Sequence, residues 1–110
     1  MEIHAGIFYS HQYTVAGTLP SANANLLTTS ITPKQTEALL RVEFVPTVAG
    51  VLTVTYTSSA GVASTALAYG GASLTAGALY PLEILTGASE SINFHFSATG
   101  GSYRLIVREM

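Results

Sequence analysis

A chain of 110 residues can bury one hydrophobic core without disulfide or metal staples, and its 48% hydrophobic residues supply that core. The absence of cysteine excludes disulfides, thiolate nucleophiles and zinc-thiolate sites, while four Lys and Arg against six acids, a net charge of -2, leave no basic stripe for nucleic acid. No apolar run approaches the roughly 20 residues of a membrane span, and Met1-Glu2-Ile3-His4 lacks the layout of a secretion signal, so one soluble domain over residues 1–110, made in a cytoplasm, is expected.

Polarity is supplied in an unusual way. Only 9% of residues are charged, against about 25% in ordinary soluble domains, and no Asp occurs. The polar load is carried by 11 Ser and 14 Thr instead. A hydroxyl that finds a partner is far easier to bury than an ammonium or a carboxylate, so a neutral Ser, Thr, Ala and Gly surface suits subunit contacts.

In chain order, Glu2 to Tyr9 and Gln12 to Ala16 read as extended, Thr18 to Asn25 as a loop around Pro20, and Leu26 to Ile31 as a short strand. Thr32-Pro33-Lys34-Gln35 carries the marks of a helix start, with Thr32 as N-cap and Pro33 in the first turn. Against that, Leu40, Val42 and Phe44 alternate with Arg41 and Glu43 up to Pro46, which favours a strand. Leu52, Val54 and Tyr56 alternate with three Thr up to the turn Ser58-Ser59-Ala60-Gly61. Val62 to Tyr69 and Ala78 to Thr86 follow, the latter with Tyr80, Leu82 and Ile84 inward and Pro81 marking an edge or bulge. Ile92, Phe94 and Phe96 share one face of Ser91–Ser97, and Tyr103, Leu105 and Val107 alternate after Gly100-Gly101, so residues 91–109 suggest a hairpin. About eight strands at this spacing predict an all-β antiparallel sandwich or barrel.

Catalytic and ligand-binding patterns are not advertised. The imidazoles are His4, His11 and His95, no Ser lies in a nucleophile elbow, and Glu37, Glu43, Glu83, Glu90 and Glu109 read as solvated charges at strand ends or outward positions. Gly70-Gly71 and Gly100-Gly101 introduce no helix and read as turns rather than phosphate cradles. The expectation is a protein with no catalytic residues, no metal and no cofactor. His4, Phe8, Tyr9, His11 and Tyr13 form an aromatic-rich set suited to anchoring an interface, and His95 is a candidate for a place near a symmetry axis.

Gly71-Ala-Ser-Leu-Thr-Ala-Gly77-Ala-Leu-Tyr80, Ser91-Ile-Asn-Phe94 and Leu105-Ile-Val-Arg-Glu109 together resemble small β proteins from the structural-gene modules of tailed bacteriophages. The similarity covers about 40 residues plus Ile31-Thr32-Pro33. It departs at Ser89-Glu90, where Gly-Asp is usual, and at His95, where Arg commonly follows Asn-Phe. The resemblance implies a jelly-roll-like sandwich that decorates or cements the outside of a capsid, commonly as a trimer, with the major capsid protein as partner and neither nucleic acid nor membrane bound. The competing expectation is a carbohydrate- or receptor-binding module of a phage tail or surface appendage, presenting Tyr69, Asn23 and Asn25 in loops, although the lack of Trp weakens it.

Overall fold

Alternation decides this fold. Ala38, Leu40, Val42 and Phe44 are buried while Leu39 and Arg41 between them face solvent, and the same period buries Leu52 and Val54, Phe94 and Phe96, and Tyr103, Leu105 and Val107. The computed structural model describes residues 11–33, 38–87 and 89–109, and these contain seven strands in two antiparallel sheets. They are β1 (His11–Thr18), β2 (Ala38–Pro46), β3 (Leu52–Thr57), β4 (Ala63–Leu67), β5 (Tyr80–Thr86), β6 (Ser91–Phe96) and β7 (Ser102–Glu109). One sheet has the order β1-β7-β2-β5 and the other β4-β3-β6. The stretch 38–41 is strand, while Lys34 to Glu37 lie outside the described residues.

The expected strand at Leu26 to Ile31 is reduced to a segment that runs along β6. It makes isolated bridges at Asn25 and Ile31, and the amides of Asn23, Leu26 and Ile31 donate to the carbonyls of Phe96, Phe94 and Ile92 at 2.8–2.9 Å. With that segment counted, each layer has four members, and every connection except β3 to β4 crosses from one layer to the other. This is the connectivity of a jelly roll. The β3–β4 hairpin closes at Ser58, whose hydroxyl accepts from Val62 N–H at 3.2 Å, with Gly61 at φ 84°.

The expected hairpin over 91–109 does not form. Strand β6 pairs with β3, β7 lies between β1 and β2, and residues 97–101 carry the chain across the core. The apolar sets of the two strands face each other from opposite layers, which gives two rows of core side chains. Paired side by side, they would have supplied a single wall. Glu109 is a second correction. The period that buries Tyr103, Leu105 and Val107 also places residue 109 on the inner face, where Glu109 is fully buried rather than solvated.

Gly50 marks the closest approach of backbone to core, since a Cβ there would stand 2.7 Å from the Phe96 ring. Tyr103 links the layers differently, donating its buried hydroxyl to the Leu26 carbonyl at 2.9 Å. Tyr103→Phe is expected to cost about 1–2 kcal/mol in urea denaturation, because the carbonyl loses its donor. Burial raises the Tyr103 phenol above the ordinary value of 10.0, and burial first, then nearby Glu90, raises Tyr56 in the same way. A raised native pKa leaves these phenols protonated after their unfolded counterparts have ionised. Their contribution to stability is therefore intact below pH 10 and is lost as pH rises through the native values.

Candidate interaction surface

The two outer faces of the sandwich differ in charge. On the β1-β7-β2-β5 sheet, strand phase turns Arg41, Glu43, Glu83, Arg104 and Arg108 outward, and register brings most of them into contact. Arg41 pairs with Glu83 at 3.1 Å and Arg108 with Glu43 at 3.3 Å, while the Arg108 Nε–H also donates to Gln12 Oε1 at 3.0 Å. Such exposed pairs contribute little stability, but they fix this face as polar and hydrated. A shallow groove of about 310 Å³ runs over it between β2 and β5, lined by Arg41, Glu43, Pro81 and Glu83.

Among the described residues, the outer face of β4-β3-β6 bears no Lys, Arg, Asp or Glu. Its rows are Ala63, Thr65 and Leu67 on β4, Thr57, Thr55 and Thr53 on β3, and Ser91, Asn93 and His95 on β6. His95 is half-buried here, with Nε2 2.6 Å from Asn25 Oδ1 and Nδ1 3.4 Å from Thr55 Oγ1. An amide oxygen only accepts, so the ring's Nε2–H donates to Asn25. Asn93 is buried beneath the 23–31 segment, where it bonds both Leu27 backbone groups. Among the described residues, the remaining carboxylates are Glu109, inside, and Glu90, in the turn before β6, where its Oε1 accepts from Gly87 N–H at 2.7 Å.

The sandwich is open where β4 and β5 end their sheets. A slot of about 230 Å³ enters there, lined by Val54, Tyr56, Ala66, Tyr69, Leu82 and Ile84. Tyr69 guards it from a left-handed backbone conformation at φ 54°, with its ring edge-on to Tyr80 at 5.3 Å and its hydroxyl donating to the Pro81 carbonyl. Burial and the neighbouring Tyr80 raise the Tyr69 phenol, whereas hydrogen bonding by the Thr75 side chain, and then by its N–H, lowers that of Tyr80.

The candidate interface residues separate. His4, Phe8 and Tyr9 lie outside the described residues, His11 opens β1, and Tyr13 on β1 packs against the core with its phenol raised by burial and by Glu109. His95 belongs to the neutral face of the other sheet. Asn25 is tied to His95, while Asn23 is exposed in a left-handed turn at φ 61°. The sequence reading missed the segregation itself, treating neutrality as a property of the whole surface. Its signal was present: every charge in β2, β5 and β7 except Glu109 alternates with the inward set, and residues 52–57, 63–67 and 91–96 contain none.

No family model matches the sequence, and neither does any curated protein. Among solved structures, a chain in the structure of infectious bursal disease virus Gx strain aligns over 91% of this chain and 32% of its own length, at 17% identity and a TM-score of 0.45. A chain in the crystal structure of the T13 IBDV viral particle aligns over 90% of this chain and 29% of its own, also at 17% identity and a TM-score of 0.45. The present chain thus spans about a third of the length of each. No helix among the described residues is long and apolar enough to cross a membrane, and no cluster of three or more metal-ligating side chains occurs among them.

Proposed function

We propose that this chain is a structural protein of a virion that decorates or cements the outer surface of a capsid as a homo-oligomer, three copies being the number the phage resemblance implies, and that it performs no catalysis. The observation carrying this reading is the separation of charge. One broad face is tied up in hydrated ion pairs, and the other presents threonine hydroxyls and small apolar side chains with no charge, which desolvate at low cost against a partner. A jelly roll serves such a role because many modest contacts, repeated over a lattice, add up through multivalency. Jelly rolls also build lectins and cupins, so the surface rather than the fold favours this reading. The major capsid protein is the partner it fits.

The test is co-sedimentation with capsids, together with light scattering of the free protein. A protein that is monomeric and stays in the supernatant overturns the proposal. Thr55→Lys and Thr55→Glu are each expected to weaken capsid binding by more than about tenfold while the protein stays folded by circular dichroism, because a charge of either sign must be desolvated at the centre of the neutral face. Unchanged binding by both variants would exclude this face as the adhesive one.

Tyr69 favours a second reading. Its ring is 46% exposed above the β4/β5 slot, the placement a sugar ring would stack on, as in a carbohydrate- or receptor-binding module. A glycan array without hits retires it.

A further inference from the structure

Each sheet of the sandwich has two outer edges; β1, which bounds the four-stranded sheet, is broken in regularity by Gly17 at φ 155°, and the other three are not treated alike. The far side of β6 is closed by the 23–31 segment through backbone hydrogen bonds. Strand β5 carries Pro81, which cannot donate, and outward Glu83, and Tyr69 bonds across to the Pro81 carbonyl. Strand β4 has none of these protections. All five of its residues, Ala63-Ser64-Thr65-Ala66-Leu67, are exposed on both faces, and it contains no charge, no proline and no glycine. It pairs with β3 on one side, and no described residue pairs with the other. A neutral, regular, uncovered edge of this kind is a template for another strand.

We propose that β4 pairs antiparallel with β4 of a second copy, joining two three-stranded sheets into one of six strands across a two-fold axis. The argument for a second copy is self-complementarity. A two-fold axis perpendicular to the sheet keeps each residue on its own face, so a residue must sit on the axis opposite itself. Centring on Thr65 uses the whole strand, placing Thr65 against Thr65, Ser64 against Ala66 and Ala63 against Leu67. The small Ala63 then faces Leu67, which is 58% exposed in the free chain. Charge agrees with this. The strands meeting at the joint bear no Arg, Lys, Asp or Glu, so no like charges are opposed, whereas a two-fold contact through the other sheet must desolvate the paired Arg and Glu side chains. The joint is short and modest in strength when alone, and it gains from repetition wherever copies are held together. It lies beside β5, at the opposite end of the sandwich from β1, so it does not compete with contacts through Tyr13.

Because the chain has no cysteine, single-cysteine variants read the register directly. Under mild oxidation of the free protein, Thr65→Cys is expected to give a disulfide-linked dimer at least about tenfold faster than Ala63→Cys. Residues 63 of the two copies would lie four residues apart along the strand, roughly 14 Å, well beyond the ~7 Å a disulfide spans. Adding Thr65→Lys in sedimentation velocity is expected to remove self-association that depends on this edge, and its exposed position leaves folding unchanged by circular dichroism. Equal crosslinking at 63 and 65, or a distribution of associated species that Thr65→Lys leaves unchanged, overturns the joint. The experiment contains no capsid, so its failure leaves the capsid reading standing, and failure to co-sediment with capsids leaves the joint standing.

Discussion

Replacing Phe44 by alanine is expected to lower stability by about 3–5 kcal/mol. Phe44 is fully buried on β2, and its ring lies 5.2 Å from that of Phe96 on the facing sheet and 6.2 Å from that of Tyr103 on β7. It is therefore the residue through which both layers and three strands meet. Removing the ring opens a cavity that rigid strands on either side cannot close, and it forfeits tilted aromatic contacts that each add about 0.5–1.5 kcal/mol. A domain of this size has roughly 5–15 kcal/mol in all, so the variant stands near its unfolding threshold. Urea denaturation measures the loss, and Phe44→Leu, which keeps much of the volume, is expected to lose less than half as much. A Phe44→Ala loss below about 1 kcal/mol would show that the two sheets do not depend on this contact.

That core was legible in the sequence because a strand's period of two writes burial directly into it. Phe44, Phe94, Phe96, Tyr103, Leu105 and Val107 could be assigned to one interior without knowing which strand lay beside which. Pairing was not legible on the same grounds. Two alternating strands and a five-residue connection describe a hairpin and a crossing between sheets equally well, and β6 and β7 are the second case. The inner position of Glu109 could have been read from the phase of Tyr103, Leu105 and Val107, but charge at a strand end suggested solvent. The neutral face was legible in part. The absence of charge from residues 52–57, 63–67 and 91–96 is visible in the sequence, yet only topology gathers those three stretches into one sheet and leaves β4 at its margin.

Topology also explains why a polar residue can hold the neutral face together. The 23–31 segment is too irregular to pair with β6 along its length, so its backbone needs other partners where the bridges stop. Asn93 supplies them. Its Oδ1 accepts from the N–H groups of Leu27 at 3.1 Å and Phe94 at 2.8 Å, and its Nδ2 donates to the Leu27 carbonyl and to Ser30 Oγ, both at 3.0 Å. In this way a side chain does the work of the missing ladder bonds. It also keeps Asn25 within reach of His95 and the β6 edge closed.

Asn93→Leu, similar in size but without polar atoms, is accordingly expected to cost about 2–4 kcal/mol, because two buried backbone groups of Leu27 lose their partners together. Asn93→Asp separates the roles of donor and acceptor. At neutral pH a carboxylate still accepts from Leu27 and Phe94 but turns a lone pair toward the Leu27 carbonyl, and burial penalises its charge. Both effects raise its native pKa above the unfolded value near 4, so the penalty is smallest below that value and grows as pH rises through it. Relative to the parent protein at each pH, Asn93→Asp should be nearly as damaging as Asn93→Leu at pH 7 and should recover much of the loss at pH 4, where the protonated carboxyl can donate to Leu27. Hydrogen exchange at the Leu26 and Ile31 amides should accelerate in step with the loss, since these protons are held by the same segment. If Asn93→Asp shows no recovery in acid, the Nδ2 donor is not what secures the segment. If both variants are as stable as the parent, the irregular edge stands without Asn93 and the neutral face owes it nothing.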